Sequence, residues 1–158
     1  MTTNLRRVLL VAALGLLVLA AALSVRRGAQ VPAIVADVVR TPGVLNAAVT
    51  QATIGATICR RGWTRTIRPP TDYTNALKRK QMRLYDEHGP PAAYQEDHLI
   101  SLELGGDPTD PRNLWPEPYP RAAAVDRIEN DLNARVCAGS LALADAQLQE
   151  AQLKHAEG

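Results

Sequence analysis

Residues 105–111, Gly-Gly-Asp-Pro-Thr-Asp-Pro, separate two short segments that mix apolar and polar side chains. No regular element runs through such a stretch, because proline lacks the backbone N–H and glycine is costly to order. Residues 94–104 are therefore expected as two short strands or one bent hairpin arm, 105–111 as the turn, and 113–115 as the returning strand. Pro116, Pro118 and Pro120 stiffen the connector after it, and Gly139-Ser140 separates two further segments. The first is expected as a helix over 121–136, with Val125, Ile128, Leu132 and Val136 on its apolar side. The second is an Ala/Leu/Gln-rich helix over 141–155.

Upstream of the hairpin the pattern is weaker. Thr50 is placed to cap a short helix running to Cys59, with Val49, Ile54 and Ile58 on its inner side. Residues 63–67 alternate large and polar side chains and read as a strand that Pro69-Pro70 stops. Thr74 then caps a helix over 75–88, with Leu77, Gln81, Leu84 and Tyr85 on one side. Gly89-Pro90-Pro91 breaks it. The fold class expected is α+β.

The N-terminus is of another kind. Residues 8–25 carry no charge and lie directly after Arg6-Arg7. As a helix this run would be about 27 Å long, close to the thickness of a bilayer core. A basic start before an apolar run also describes a secretory signal. Small residues around Ala20–Ala22 and Ser24 offer cleavage points, and Arg26-Arg27 argue for retention. Both readings export the remainder of the chain, to the periplasm or outside the cell, free or anchored to the membrane through residues 8–25. The expected organisation is leader or anchor 1–27, linker 28–47 becoming ordered near Pro42-Gly43, and a domain over 48–158.

Charge divides along the same line. The chain has 18 Lys and Arg against 16 Asp and Glu, but four of the basic residues flank the apolar run and no acid precedes Asp37. The exported part is therefore slightly acidic, and any affinity for nucleic acid must be local. Such a patch exists: residues 60–83 hold eight basic side chains and one acid, Asp72. Within it Arg65, Arg68, Lys78 and Arg79 are the candidates to hold phosphates by charge, without reading sequence. Export also suits the two cysteines. Cys59 and Cys137 bracket the hairpin, and an oxidising compartment makes a disulfide between them the expected state. Neither belongs to a cluster with zinc-ligand spacing.

The chemistry-bearing residues lie at the hairpin. In the adjacent Asp97-His98 pair a carboxylate can hold a hard metal ion while an imidazole takes a proton from water. With Gly105-Gly106 and the isolated Asn113-Leu114, this layout over residues 92–136 resembles the core of HNH (ββα-metal) endonucleases. The resemblance implies a small ββα-metal core with flanking helices. It assigns Asp97 as a metal ligand, His98 as the general base, and Asn113 as the amide that holds the hairpin loop and orients the His98 ring. It also implies metal-dependent phosphodiester hydrolysis with little sequence preference, on DNA ahead of RNA.

The chain departs from that family at its third position. A His or Asn ligand is expected about nine residues after Asn113, and this sequence has Ala122 there. If the proline-rich connector delays the helix, Asp126 becomes the replacement ligand and Glu129 the second choice. An oxygen ligand there favours magnesium, manganese or calcium over zinc. The alternative function is a degenerate, non-catalytic HNH fold acting as an envelope or binding module. No protein partner is legible in the sequence.

Overall fold

The structure is a computed structural model and describes residues 34–158. The expectations for residues 1–27, and for the first part of the linker, lie outside the described residues. The described part is α+β. In chain order it comprises helix α1 (Trp63–Ile67), helix α2 (Thr71–Leu84), strand β1 (Tyr94–His98), strand β2 (Leu114–Pro118), helix α3 (Tyr119–Cys137) and helix α4 (Leu143–Ala156). Among the described residues no helix is long and apolar enough to cross a membrane.

β1 and β2 form a two-stranded antiparallel sheet, with Gln95 opposite Glu117, Asp97 opposite Trp115 and His98 opposite Leu114. Both strands are edges, which is where a sheet tolerates Pro116 and Pro118. The expected stiff connector is therefore part of the strand. α3 begins at Tyr119, immediately after it, with Pro120 in its first turn. The helix is not delayed. Its buried side is Ala122, Val125, Glu129, Leu132 and Val136, whereas Ile128 is exposed.

Residues 34–47, expected as linker, pack against the domain as an extended strap. Ala36 donates its N–H to the Lys154 carbonyl (3.0 Å), Gly43 to Arg112 (3.1 Å) and Asn46 to Gly105 (2.9 Å), and Ala36 and Thr41 are buried. The strap supplies partners for the backbone groups of the hairpin turn, which a two-stranded sheet leaves unpaired.

Two upstream expectations fail for identifiable reasons. The helix to Cys59 shrinks to a 3-10 turn, Ile54–Ala56. Threonine hydroxyls compete for the backbone: Thr53 Oγ1 donates to the Ala48 carbonyl (2.8 Å), and Thr57 Oγ1 donates to the Thr53 carbonyl (2.8 Å). Residues 63–67 are helical, not a strand. Trp63 and Ile67 both join the core, and a spacing of four puts them on one helix face as readily as on one strand face. α2 runs one turn ahead of expectation, from Thr71 to Leu84; Met82 and Lys78 are buried with Leu77 and Gln81, while Leu84 is exposed.

The main core joins Val49, Ile58, Trp63, Ile100, Leu104, Leu132, Val136 and Leu143. Cys59 and Cys137 are disulfide-bonded at its edge, with Cα atoms 5.5 Å apart. This separation lies in the ordinary range for such a bridge.

Candidate functional site

The turn is built around Asn113. Its side chain accepts from the Ile100 N–H (3.0 Å) and donates to the carbonyls of Ile100 (3.0 Å) and Asp107 (3.0 Å). Its oxygen also faces the Val44 N–H of the strap at 3.4 Å. Asn113 is fully buried, so removing it would leave several backbone groups unpaired. Gly106 is required beside it: a Cβ there would lie 1.8 Å from the Ile100 carbonyl oxygen and 2.6 Å from Asn113 Nδ2. The amide thus holds the loop, as the hairpin reading expects.

Its effect on His98 is indirect. His98 Nε2 is 3.1 Å from the Pro108 carbonyl, which the loop presents to it. A carbonyl only accepts, so Nε2 carries the hydrogen and Nδ1 keeps its lone pair. Burial lowers the His98 pKa against the opposing pull of Asp97, which keeps the ring neutral near pH 7.

His98 lines a polar cleft of about 250 Å³. Its other walls include Arg68, Thr71 and Thr74 from the start of α2, Lys78, Glu96 and Tyr119. Pro70, ahead of α2, has no side-chain acceptor, and at the helix start Asp72 Oδ1 accepts from the Tyr73 N–H (2.9 Å) while the Thr74 N–H bonds the Pro70 carbonyl (3.2 Å). Of the four basic candidates, Arg68 and Lys78 reach this cleft. Arg65 and Arg79 are exposed and are not among its lining residues. Lys78 is buried, and its ammonium donates to the Tyr94 carbonyl (2.8 Å) beside Glu96. Burial pushes the Glu96 carboxyl up to about 8, so it enters the cleft wall largely protonated at neutral pH. Tyr119 is half-exposed at the rim.

Asp97 also lines this cleft, but its carboxylate is held from the opposite face of the strand. Along a strand successive side chains alternate, so Asp97 shares its face with Gln95 and, across the pair, with Glu117 and Trp115. Gln95 donates to Asp97 Oδ1 at 2.9 Å, and Lys154 Nζ, from α4, donates to Oδ2 at 2.8 Å. The same ammonium is 2.5 Å from Glu129 Oε1, 2.5 Å from the His98 carbonyl and 3.5 Å from Glu150 Oε1. Lys154 is completely buried.

Four carboxyl groups therefore surround one ammonium, and protons make up the difference. Burial raises Glu117 to about 9 and Glu150 well above its ordinary value, and the neighbouring Asp97 and Glu129 carboxylates add to the two shifts. Burial also works to raise Asp97, but the Lys154 charge outweighs it and holds that carboxylate at about 2.

A divalent ion does not fit this arrangement. Asp97 has both oxygens engaged. Ala122, at the family's third position, sits buried in the first turn of α3. Asp126 is exposed and lines a different cleft of about 240 Å³, with Glu103, Arg68 and Asn130. Asp126 would have needed a delayed helix to reach Asp97, and α3 starts at Tyr119. Glu129 is the helical carboxylate that meets Asp97, and it does so through Lys154. Among the described residues no cluster of three or more His, Cys, Asp or Glu side chains has the geometry to hold a metal.

Sequence reasoning missed Lys154, Glu150 and Glu117. One signal was available: Glu150 and Lys154 are four apart on a helix, the spacing of an ion pair. No family model, curated protein or solved structure matches this chain.

Proposed function

We propose that this chain is an exported HNH-like module that holds the phosphodiester backbone of nucleic acid, DNA ahead of RNA, in the His98 cleft, and that it works without metal-dependent hydrolysis. The observation that carries the reading is that Lys154 engages the Asp97 carboxylate beside the His98 cleft. His98 opens on a cleft with Arg68, Lys78 and the Thr71 and Thr74 side chains. Asp97, the carboxylate that metal-dependent cleavage would use, is engaged by Lys154. Arg68 makes no ion pair among the described residues, which leaves its guanidinium for a phosphate. The Cys59–Cys137 bridge supports an oxidising compartment, consistent with export by the leader or anchoring through residues 8–25.

Fluorescence anisotropy with labelled duplex DNA, single-stranded DNA and RNA tests the reading. Salt-dependent binding, weakened by Arg68→Ala, with intact DNA after incubation in magnesium, manganese or calcium, is the expected result. Absence of binding at low salt would end it. One observation favours a second reading, the metal-dependent nuclease: His98 is neutral with Nδ1 unpaired, as a general base requires. Plasmid nicking that needs magnesium, stops with EDTA and is lost in His98→Ala would establish the nuclease instead.

A further inference from the structure

A separate pocket of about 110 Å³ lies between α2, the strap and the turn at Pro111-Arg112. α2 gives Thr71, Thr74 and Lys78 to the His98 cleft and Leu77, Gln81 and Leu84 to this pocket, so the two share a helix but no residue. Leu77, Leu84 and Tyr85 supply its apolar surface. Leu84 is 54% exposed, and the strap turn directly ahead of Arg40, another wall residue, exposes Val38 and Val39. Exposed apolar side chains gathered at a pocket mark a place for a partner. Gln81 makes the site specific. Its Nε2 donates to the Pro111 carbonyl (2.9 Å), and a carbonyl only accepts, so the orientation of the amide is fixed. Gln81 Oε1 is then left buried with no hydrogen-bond partner. A buried acceptor without a donor is costly, and a ligand N–H would remove that cost.

Charge and size narrow the ligand. Arg40 is paired with Asp37 (2.7 Å) and Arg112 with Asp110 (2.6 Å). Lys80 is exposed and makes no ion pair among the described residues, which leaves one unbalanced positive charge at the mouth. One charge suits a single carboxylate, whereas a nucleic-acid backbone is held by a run of them. The volume is below the roughly 300–1,000 Å³ of a drug-sized site, so the pocket takes one side chain. We propose that this pocket captures the C-terminal residue of a peptide: its apolar side chain enters against Leu77, Leu84 and Tyr85, its backbone N–H donates to Gln81 Oε1, and its carboxylate lies at Lys80. Capture of a terminal carboxylate is a recurring mode of peptide recognition. Side-chain rotamers commonly change when such a site fills, and the exposed Leu84 has room to turn and uncover Gln81.

The test titrates N-acetyl-Gly-Leu, as the free acid and as its C-terminal amide, into the full disulfide-bonded chain and follows the NMR signals of the Gln81 side-chain amide and the Tyr85 backbone. It needs no nucleic acid and touches no residue of the His98 cleft, so its failure is distinct from failure of DNA binding there. The acid should shift both signals with a dissociation constant of about 10⁻³ M, the range for so small a ligand. The amide should bind about fivefold more weakly, the loss of one exposed charge pair. Lys80→Glu, at an exposed position that leaves the core untouched, should weaken the acid at least as much, and Lys80→Arg should bind it like the wild type. Leu84→Asp should abolish binding. The proposal is overturned if the acid gives no shift at ten times that concentration, if acid and amide bind alike, or if Lys80→Glu binds the acid as the wild type does. A short oligothymidylate that moves the same signals when the acid does not would equally overturn it and assign the pocket to nucleic acid.

Discussion

The two faces of the hairpin differ more than the adjacency of Asp97 and His98 suggests. On the α2 side, His98, Arg68 and Tyr119 border a solvent-connected cleft in which positive charge meets a neutral imidazole. On the α3–α4 side, Asp97, Glu117, Glu129 and Glu150 enclose one buried lysine. One face has charge available to a ligand, while the other has charge satisfied internally. Neighbouring residues thus take different parts, His98 in the cleft wall and Asp97 between that cleft and the ion cluster, because a strand sends alternate side chains to opposite sides.

The sharpest way to break this comparison is to damage the enclosed face. Lys154→Met keeps the volume and removes the charge, so urea unfolding should show a loss of about 3–5 kcal/mol, as expected when one partner of a buried ion cluster is deleted. A loss below about 1 kcal/mol would mean that the cluster is not structural. Removing the bridge with Cys59→Ser and Cys137→Ser should cost somewhat less, about 2–4 kcal/mol for a loop of this length. Equal midpoints with and without reductant would contradict that.

Acidity offers a finer test. Glu117 binds its proton in the folded state up to about pH 9 and releases it at ordinary carboxylate pH when unfolded. Its stabilisation is therefore complete below about pH 4.5 and is lost as pH rises toward about 9. Asp97 works oppositely: its contribution is present above about pH 4 and is lost as pH falls toward about 2. Unfolding free energy should accordingly decline by more than about 1 kcal/mol from pH 5 to pH 8. Glu117→Gln, which cannot ionise, should flatten that slope, and an unaltered slope would locate the titration elsewhere, with Glu150, Glu96 or Glu103 the next candidates.

The open face should respond in affinity and not in stability. Arg68→Ala should lower the salt slope of DNA binding by about 0.9, the value of one phosphate contact, and shift stability by less than about 0.5 kcal/mol. Arg65→Ala and Arg79→Ala, outside the cleft, should change binding less than Arg68→Ala. Anisotropy across a salt series separates these outcomes. If all three behave alike, the patch acts as a diffuse field and the cleft has no special part in binding.

Several features were settled by local chemistry. The strands over Asp97 and after Asn113, the turn at Gly105-Gly106, the two C-terminal helices and the pairing of Cys59 with Cys137 follow from glycine, proline, helical periodicity and a lone cysteine pair, whereas residues 99–104, expected in the hairpin arm, leave the strand and form a 3-10 turn at Leu102–Leu104. Other features needed the fold. Residues 63–67 satisfy two periods at once, and only packing against the core selects the helix. The linker becomes a strap because the hairpin turn has backbone groups to share. Lys154 reaches Asp97 across 57 positions of sequence, and Glu129 joins them from a third element. Sequence pattern reports which face of an element is apolar. It does not report which distant charge arrives at a buried carboxylate, because that depends on where separate elements dock. The types of residue at this site were therefore legible in the chain, while the cation that meets Asp97 was decided by the tertiary structure alone.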